Sequence, residues 1–568
     1  MFLRSLIICV FAGVIVAQQP SPNSSASAQF EIRGVIVDAV NGQPLSRATV
    51  SIAPVTKRDD ITVMTTGEDG RFRFRNLARN KYSLSAQRRG YATHAYDQHE
   101  TFSSSIAVGP SIDSSNIVFR LAPECSISGI VVDEAGEPVA GGQVILFRTG
   151  VEGGMNRTRQ VRQVQSDDRG SYHFGHLLPG KFLVAVSAQV WYAQRPKPRQ
   201  PVIQTTLSGE SKNQYSWQQT FGGMTGGVGS LQSKDPEDDV SLPLDVVYPI
   251  TFYPGSTEPG SAAPIVLNPG DKFAADINLQ PVPATHFFIP NDGIATHQNR
   301  YLTLQRKLFD GSSLPVITET RIDASGTMEV VGIPPGHFTE KIIEPDKSQQ
   351  DGPTHDIDVT DGATVQQADV PAAHVAVSLQ LDAGTPRPTQ SYLQLFNPKT
   401  RDFFNQLVSE RGEIEFQQPI PPGAYELWLS NSGGSYIRSI IATGAKASGR
   451  TIQIRGSGAV ALRVAIGQGQ GRVTGTVLRD GKAFAGAMVL LVPSDPGNNA
   501  ILVRRDQSDS DGTFTFGFAV PGKYTAVAID NGWELEWLNQ SVLKPYLAQG
   551  TPVDVQPNGK YDIQVTAQ

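Results

Sequence analysis

The chain has 568 residues, more than one hydrophobic core usually organises, so several domains are expected. Charged residues make up 18% against 39% hydrophobic, with 55 Gly and 39 Pro, a balance that excludes wholesale disorder and predicts folded modules joined by many turns. The net charge of -6, which becomes -7 once the leader's single cation Arg4 is removed, excludes the broad basic face that phosphate binding requires, so nucleic acid is not an expected partner.

Residues 1–17 read as a cleaved signal peptide: Arg4, an apolar run from Leu6 to Val16, then small Ala17 before Gln18 and Gln19. The run is shorter than the ~20 residues of a spanning helix, and no later segment is long and apolar enough, so no transmembrane segment is expected in the mature chain. Residues 18–28 read as a linker. Cys9 lies in the leader behind bulky Ile7 and Ile8, which is not the context of a lipoprotein cysteine. Cys125, alone in the mature chain, cannot form an internal disulfide and reads as a small apolar residue at a strand start.

From residue 29 onward one pattern recurs. Its first copy runs Asp69, Gly70, Phe72, Phe74, Leu77, Asn80, Tyr82, Leu84, and its second Asp168, Gly170, Tyr172, Phe174, Leu177, Pro179, Gly180, Phe182, Val184. Two weaker copies follow: Gly326, Met328, Val330, Ile333, Pro335, Gly336, Phe338, and then Gly412, Ile414, Phe416, Ile420, Pro422, Gly423, Tyr425. The last copy is Asp511, Gly512, Phe514, Phe516, Pro521, Gly522, Tyr524. Phe72 and Phe74 alternate with Arg71, Arg73 and Arg75, the period of a strand with one face on a core and one in water. The first glycine suits the positive φ of a tight turn, and the second suits a type II corner; Asn80, in that second place, is expected to take the left-handed conformation in its stead.

Three copies carry a second block upstream. Ile32, Gly34 and Ile36 lead to Asp38, Gly42, Pro44, Ala48 and Val50; Ile127, Gly129 and Val131 lead to Asp133, Gly136, Pro138, Gly142 and Val144; Val473, Gly475 and Val477 lead to Gly481, Ala487 and Val489. The constant step from the loop glycine to the final valine is expected to set a hairpin register. Runs such as 103–108, 115–121 and 561–565 complete about seven strands per unit, a two-sheet sandwich. The clearest helix expectation is Glu534 to Leu547, whose Leu535, Leu538, Val542 and Leu543 form an apolar stripe.

The Gly34-to-Asp38 strand, the Gly42-to-Pro44 turn, and the Asp-Gly-x-Phe-x-Phe then Pro-Gly-x-Tyr ladder resemble the carboxypeptidase regulatory-like domain, a transthyretin-like sandwich. The resemblance is full in the first, second and last units and confined to the second half in the third and fourth. It implies an all-β tandem array of about five Ig-like or transthyretin-like sandwiches at 29–121, 122–283 (with a polar insertion at about 193–244), 284–372, 373–466 and 467–568. Members of this family occur fused to zinc carboxypeptidases, at the front of outer-membrane receptors, and as repeats in large exported proteins of soil bacteria, and the chain looks like the last type. Its superfamily is structurally close to starch-binding sandwiches, a likeness of fold alone.

Chemistry-bearing motifs are sparse. His337 and Glu340 have the spacing of a zinc pair, but on a strand residues three apart point to opposite faces. His94, His99, Asp97 and Glu100, and also His173 with His176, read as surface polar residues without a closed ligand set. Asp506, Asp509 and Asp511 resemble a calcium loop that lacks its closing glutamate, so Asp511 reads as a turn cap. No catalytic residue, metal or cofactor is expected, and hydrolase activity, alone or as the accessory module of a carboxypeptidase, is the least favoured reading. Trp191 and Tyr192 at a strand end and Trp217 in the insertion are the candidate ligand-contact residues, since flat rings stack on sugar faces; the plainer reading caps the sandwich core with them. Trp533 and Trp537 read as core staples between helix and sheet. The sequence thus predicts an exported, non-catalytic binding or scaffold protein in the periplasm, at the bacterial cell surface or secreted. Its expected partner is a protein or a polysaccharide, with carbohydrate binding as the alternative function.

Overall fold

The computed structural model describes residues 30–195, 244–289, 301–309, 312–322, 328–343, 351–360, 364–369, 371–382, 385–388 and 390–568. The leader, the linker, Gly326, Trp217 and most of the polar insertion lie outside the described residues.

The first unit shows how the repeat folds. Its strands are β1 (Phe30–Asp38), β2 (Thr49–Pro54), β3 (Thr62–Thr65), β4 (Arg71–Leu77), β5 (Asn80–Arg88), β6 (Tyr91–Ala95), β7 (Ile106–Val108) and β8 (Ile117–Leu121). One sheet has the order β4-β1-β8 and the other β3-β2-β5-β6, with β7 also pairing β5. Phe72, Phe74, Tyr82 and Leu84 are buried between them, while Arg71, Arg73 and Arg75 face water. The last unit repeats the plan: Thr513–Ala519, Gly471–Arg479 and Lys560–Thr566 form one sheet, and Arg504–Gln507, Met488–Pro493, Gly522–Ile529 and Thr551–Val555 the other. Among the described residues there are seven core clusters; five of them, spanning Ile32 to Leu121, Cys125 to Leu279, Leu304 to Val359, Ala373 to Ile466 and Val473 to Val565, follow one another along the chain. The protein is an all-β tandem array of sandwiches.

The strand glycine of the upstream block has a steric reason. The first and last strands of each full unit pair in parallel, Gly34 opposite Ile117 and Gly475 opposite Ile563. A Cβ on Gly34 would lie 2.2 Å from the Ile117 carbonyl oxygen and 2.7 Å from the Phe72 ring, and one on Gly475 would lie 2.3 Å from the Ile563 oxygen. Only glycine lets an aromatic ring and a neighbouring backbone approach together.

Three local expectations are corrected. The loop glycine does lie in a short hairpin, closed by the Val37–Pro44 bridge in the first unit and by Leu478 opposite Ala483 in the last, but the strand that carries the valine belongs to the other sheet, so the step to the valine carries the chain across the sandwich and sets no hairpin register. Asn80 is not left-handed. The glycines in its place, Gly180, Gly336 and Gly522, do have positive φ (143 to 154°), and a further positive φ falls on Asn76, His176 and Phe518, each six residues after the turn glycine, where the ladder slips register. Asn80 contributes its side chain, accepting from the Lys81 N–H at 2.8 Å and donating to Thr56 at 3.0 Å. The helix is also shorter than expected, covering Gln540–Leu547 after an Asn539 cap; the residues before it form a 3-10 turn at Gly532–Glu534 and a bend from which Trp533 and Trp537 pack with Leu543 of the helix against Met488, Leu490 and Val527 of the sheet, as expected, and also reach other units.

Those contacts fold the array back on itself. The first unit docks on the last: the Lys81 ammonium bonds Asp509, Asp511 and Thr513, Ser510 donates to the Ser105 carbonyl, and Gln507 donates to Asp97 and Ser104. His99 stacks on Trp533 with centroids 5.0 Å apart. The tip of the Gln143–Glu152 and Met155–Gln165 hairpin from the second unit completes the junction, with Leu538 donating to the Gly154 carbonyl and the Trp537 indole lying against Gly154.

Candidate functional site

The Gly180–Ser187 strand runs out of the second unit's core and the chain turns at Trp191 and Tyr192. Trp191 is 77% exposed, and Tyr192 meets it edge to face, with ring centroids 5.6 Å apart and planes at 89°. Tyr192 packs partly against the core, and its hydroxyl donates to Glu134 on the neighbouring loop. Tyr248, buried, donates to the other oxygen of the same carboxylate at 3.0 Å. Burial raises the Tyr192 phenol, and the adjacent Glu134 carboxylate raises it further, to about 12. For Glu134 burial acts upward, but the hydroxyl bonds from Tyr192 and Tyr248 outweigh it and hold the acid below its ordinary value. A fixed carboxylate thus holds Tyr192 in place beside a free indole face. Such a pair can stack on a flat, weakly polar ligand and hydrogen-bond at its rim.

The structure brings Trp191 and Tyr192 together; Trp217 lies outside the described residues. Glu134 and Tyr248, the partners that fix Tyr192, were not singled out from the sequence. Glu134 follows the turn-capping Asp133, whose Oδ1 accepts from the backbone N–H groups of Ala135 and Glu137. The upstream block marked Asp133 in the sequence; its capping role and the tyrosines converging on its neighbour were not marked.

The other titratable groups take structural parts. His337 is exposed on the Gly336–Ile343 strand and pairs with Asp358 at 3.2 Å. His94 stacks on Phe119, and His176 bonds Glu124 at 2.7 Å. In the loop that resembled a calcium site, Asp506 accepts from the Thr515 N–H at 2.7 Å, Asp511 accepts from Thr513, and the Lys81 ammonium sits on Asp509 and Asp511. Burial works against ionisation of Asp511, but the Thr513 hydroxyl and Lys81 outweigh it and lower its pKa. Among the described residues, no group of three or more His, Cys, Asp or Glu is placed to hold a metal ion.

The sequence description of the carboxypeptidase regulatory-like domain matches residues 31–115 and again 126–205. The chain carries this domain twice. Both carboxypeptidase regulatory-like domains contribute to the junction with the last unit, and the Trp191–Tyr192 pair lies in the second of them. No curated protein matches the chain. Solved structures with some likeness include the Bacillus anthracis TIE protein, 11% identical, covering 97% of this chain and 75% of that one with a TM-score of 0.16. They also include GBS52, the minor pilin of Streptococcus agalactiae (11% identical, 44% and 96% covered, TM-score 0.19), and BcpA, the major pilin subunit of Bacillus cereus (9% identical, 77% and 99% covered, TM-score 0.14). At TM-scores this low the likeness carries no argument. No helix among the described residues is long and apolar enough to cross a membrane.

Proposed function

We propose that the protein is an exported, non-catalytic scaffold whose sandwiches hold binding surfaces in a fixed relation outside the cytoplasm. The observation that carries this reading is the docking of the first unit on the last. Arg505 forms a two-pronged ion pair with Glu100 at 2.8 and 2.6 Å while its guanidinium lies 4.8 to 5.5 Å from the rings of Phe102, Trp533 and Trp537. A charge held by a planar fork between aromatic faces fixes both distance and angle between the units. Freely hinged spacers would have no use for such a contact. Two measurements test the reading. Intact mass of the protein recovered outside the cytoplasm is expected to show a chain beginning at Gln18. Incubation with zinc and peptides bearing aliphatic or basic C-termini is expected to release no amino acid. Chelator-sensitive release, or retention in the cytoplasm with the leader intact, overturns it.

A second reading, carbohydrate binding, is favoured by the exposed indole of Trp191 beside a Tyr192 that Glu134 holds in place. Affinity electrophoresis through gels containing soluble polysaccharides is expected to retard the protein with one glycan and to restore its mobility on Trp191→Ala. Mobility unaffected by every glycan removes this reading for those glycans and leaves the scaffold reading standing.

A further inference from the structure

The fourth unit exposes an apolar face and an unguarded strand edge at the same place. Its outer sheet ends on the strand Phe403–Leu407, which pairs with Tyr392–Phe396, and that strand pairs in turn with Gly423–Ser430. Phe403 is 50%, Leu407 48%, Trp428 41% and Tyr392 39% exposed. The registers place Leu407 opposite Tyr392, and Gln394 opposite both Asn405 and Trp428, so these side chains share one outward face.

The ladder says which backbone groups remain free. Asn397 N–H donates to the Asp402 carbonyl and Val408 N–H to the Ser391 carbonyl. Antiparallel bonds alternate along a strand, so the even-numbered residues of the end strand face its neighbour. The N–H and C=O groups of Phe403, Asn405 and Leu407 therefore point away from the sheet, where no described strand pairs with them. Edges of this kind are ordinarily protected by charge, proline or brevity. The edge strand Met155–Gln165 carries Arg157, Arg159 and Arg162, and the edge strand Thr62–Thr65 is only four residues long. Phe403–Leu407 reads Phe-Phe-Asn-Gln-Leu, with no charge and no proline.

The same five residues are complementary to themselves. A second copy laid antiparallel about a two-fold axis at Asn405 sets Asn405 against its own copy and Phe403 against Leu407 on either side. All three pairs fall at positions whose backbone groups are free, so each exchanges two hydrogen bonds. Residues directly opposite share a face, so the Tyr392–Trp428 surface becomes continuous across the axis. We propose that the protein forms a two-fold dimer by pairing the Phe403–Leu407 edges of two copies into one continuous sheet. A glycan or an unrelated protein on this face would leave the edge's self-matching register without a role.

Light scattering on the size-separated protein without its leader, across a dilution series, tests the proposal. The expected result is a mass twice that of the chain. Asn405→Pro removes a donor that the unit's own ladder does not use, and proline is tolerated where the N–H faces solvent. It is expected to weaken the dimer by about thirtyfold or more with an unchanged thermal midpoint, and Phe403→Lys with Leu407→Lys is expected to do the same. A wild type that stays monomeric at its highest soluble concentration overturns the proposal, whether or not the face binds a glycan. So does a dimer that survives both variants.

Discussion

Glu426 lies on the outward face of the Gly423–Ser430 strand, yet it is only 7% exposed. The turn at Ala500–Leu502 of the last unit lies over it and gives it one partner, the Ile501 N–H. Burial pushes its carboxyl up to about 7 against 4.5, the Ile501 bond offsetting part of the effect. The folded-state pKa is raised, so the stabilisation is full below pH 4.5 and is lost as pH rises through 7. Ionising the group in place costs about 3 kcal/mol at most. Glu426→Gln is therefore expected to leave stability at pH 5 nearly unchanged and to raise it at pH 8, flattening the slope between them in urea unfolding measured at both pH values. An equal slope in the variant would mean that other groups carry the pH dependence. At this scale the sequence was legible where one residue's own conformation decides the matter: Gly70, Gly170, Gly412 and Gly512 all have the positive φ their turns require. It misled at Asn80, which lacks the positive φ that Gly180, Gly336 and Gly522 have in the same place, and it did not mark Asn76, left-handed at a slip in the pairing of β1 with β4.

Among the elements, the parallel pairing of first and last strands is the feature most sensitive to a single atom. Adding a methyl at Gly475 sets it against the Ile563 carbonyl and the Phe514 ring, both within 2.6 Å. The strand must part from its neighbour or the ring must leave the core, so Gly475→Ala is expected to cost about 3 kcal/mol, near the top of the range for overpacking. Thermal unfolding with tryptophan fluorescence checks it, since Trp533 and Trp537 report on the same unit. Tyr524→Phe is the milder companion. Its hydroxyl donates to the Val520 carbonyl at 2.7 Å, as Tyr82 does to Ala78 and Tyr425 to Pro421, and losing that bond is expected to cost about 1 kcal/mol. Strand existence and facing were readable from the alternation of aromatic and charged residues. Which sheet each strand joined was not, because period two gives a face and says nothing of a neighbour.

For the whole molecule, the junction of the first, second and last units decides the shape. Lys81 and Arg505 each pair with carboxylates across it, and their side chains are 32% and 13% exposed. Arg505→Ala leaves Glu100 without its cation and opens the stack of Phe102, Trp533 and Trp537, and Lys81→Ala leaves Asp509 and Asp511, both on the last unit, without the ammonium that ties them to the first. The double variant is expected to undock the first unit, seen as a larger radius of gyration in small-angle scattering, while each sandwich keeps its own fold. High salt is expected to act in the same direction more weakly, because partly buried pairs are screened less than exposed ones. An unchanged radius in the double variant would show that the aromatic contacts alone hold the units.

The sequence by itself determined the all-β class, the repeat and its turn glycines, the inward aromatics and the outward arginines, because each of these follows from one residue's conformational range or from a period along one strand. It also marked Trp191 and Tyr192 as a pair. Tertiary structure alone decided that Lys81 answers a cluster of aspartates more than four hundred positions away, that Trp533 and Trp537 serve a junction between units, and that Glu134 and Tyr248 fix Tyr192. These depend on how separate folded bodies meet, and contacts between surfaces leave no periodicity in the chain for a sequence to display.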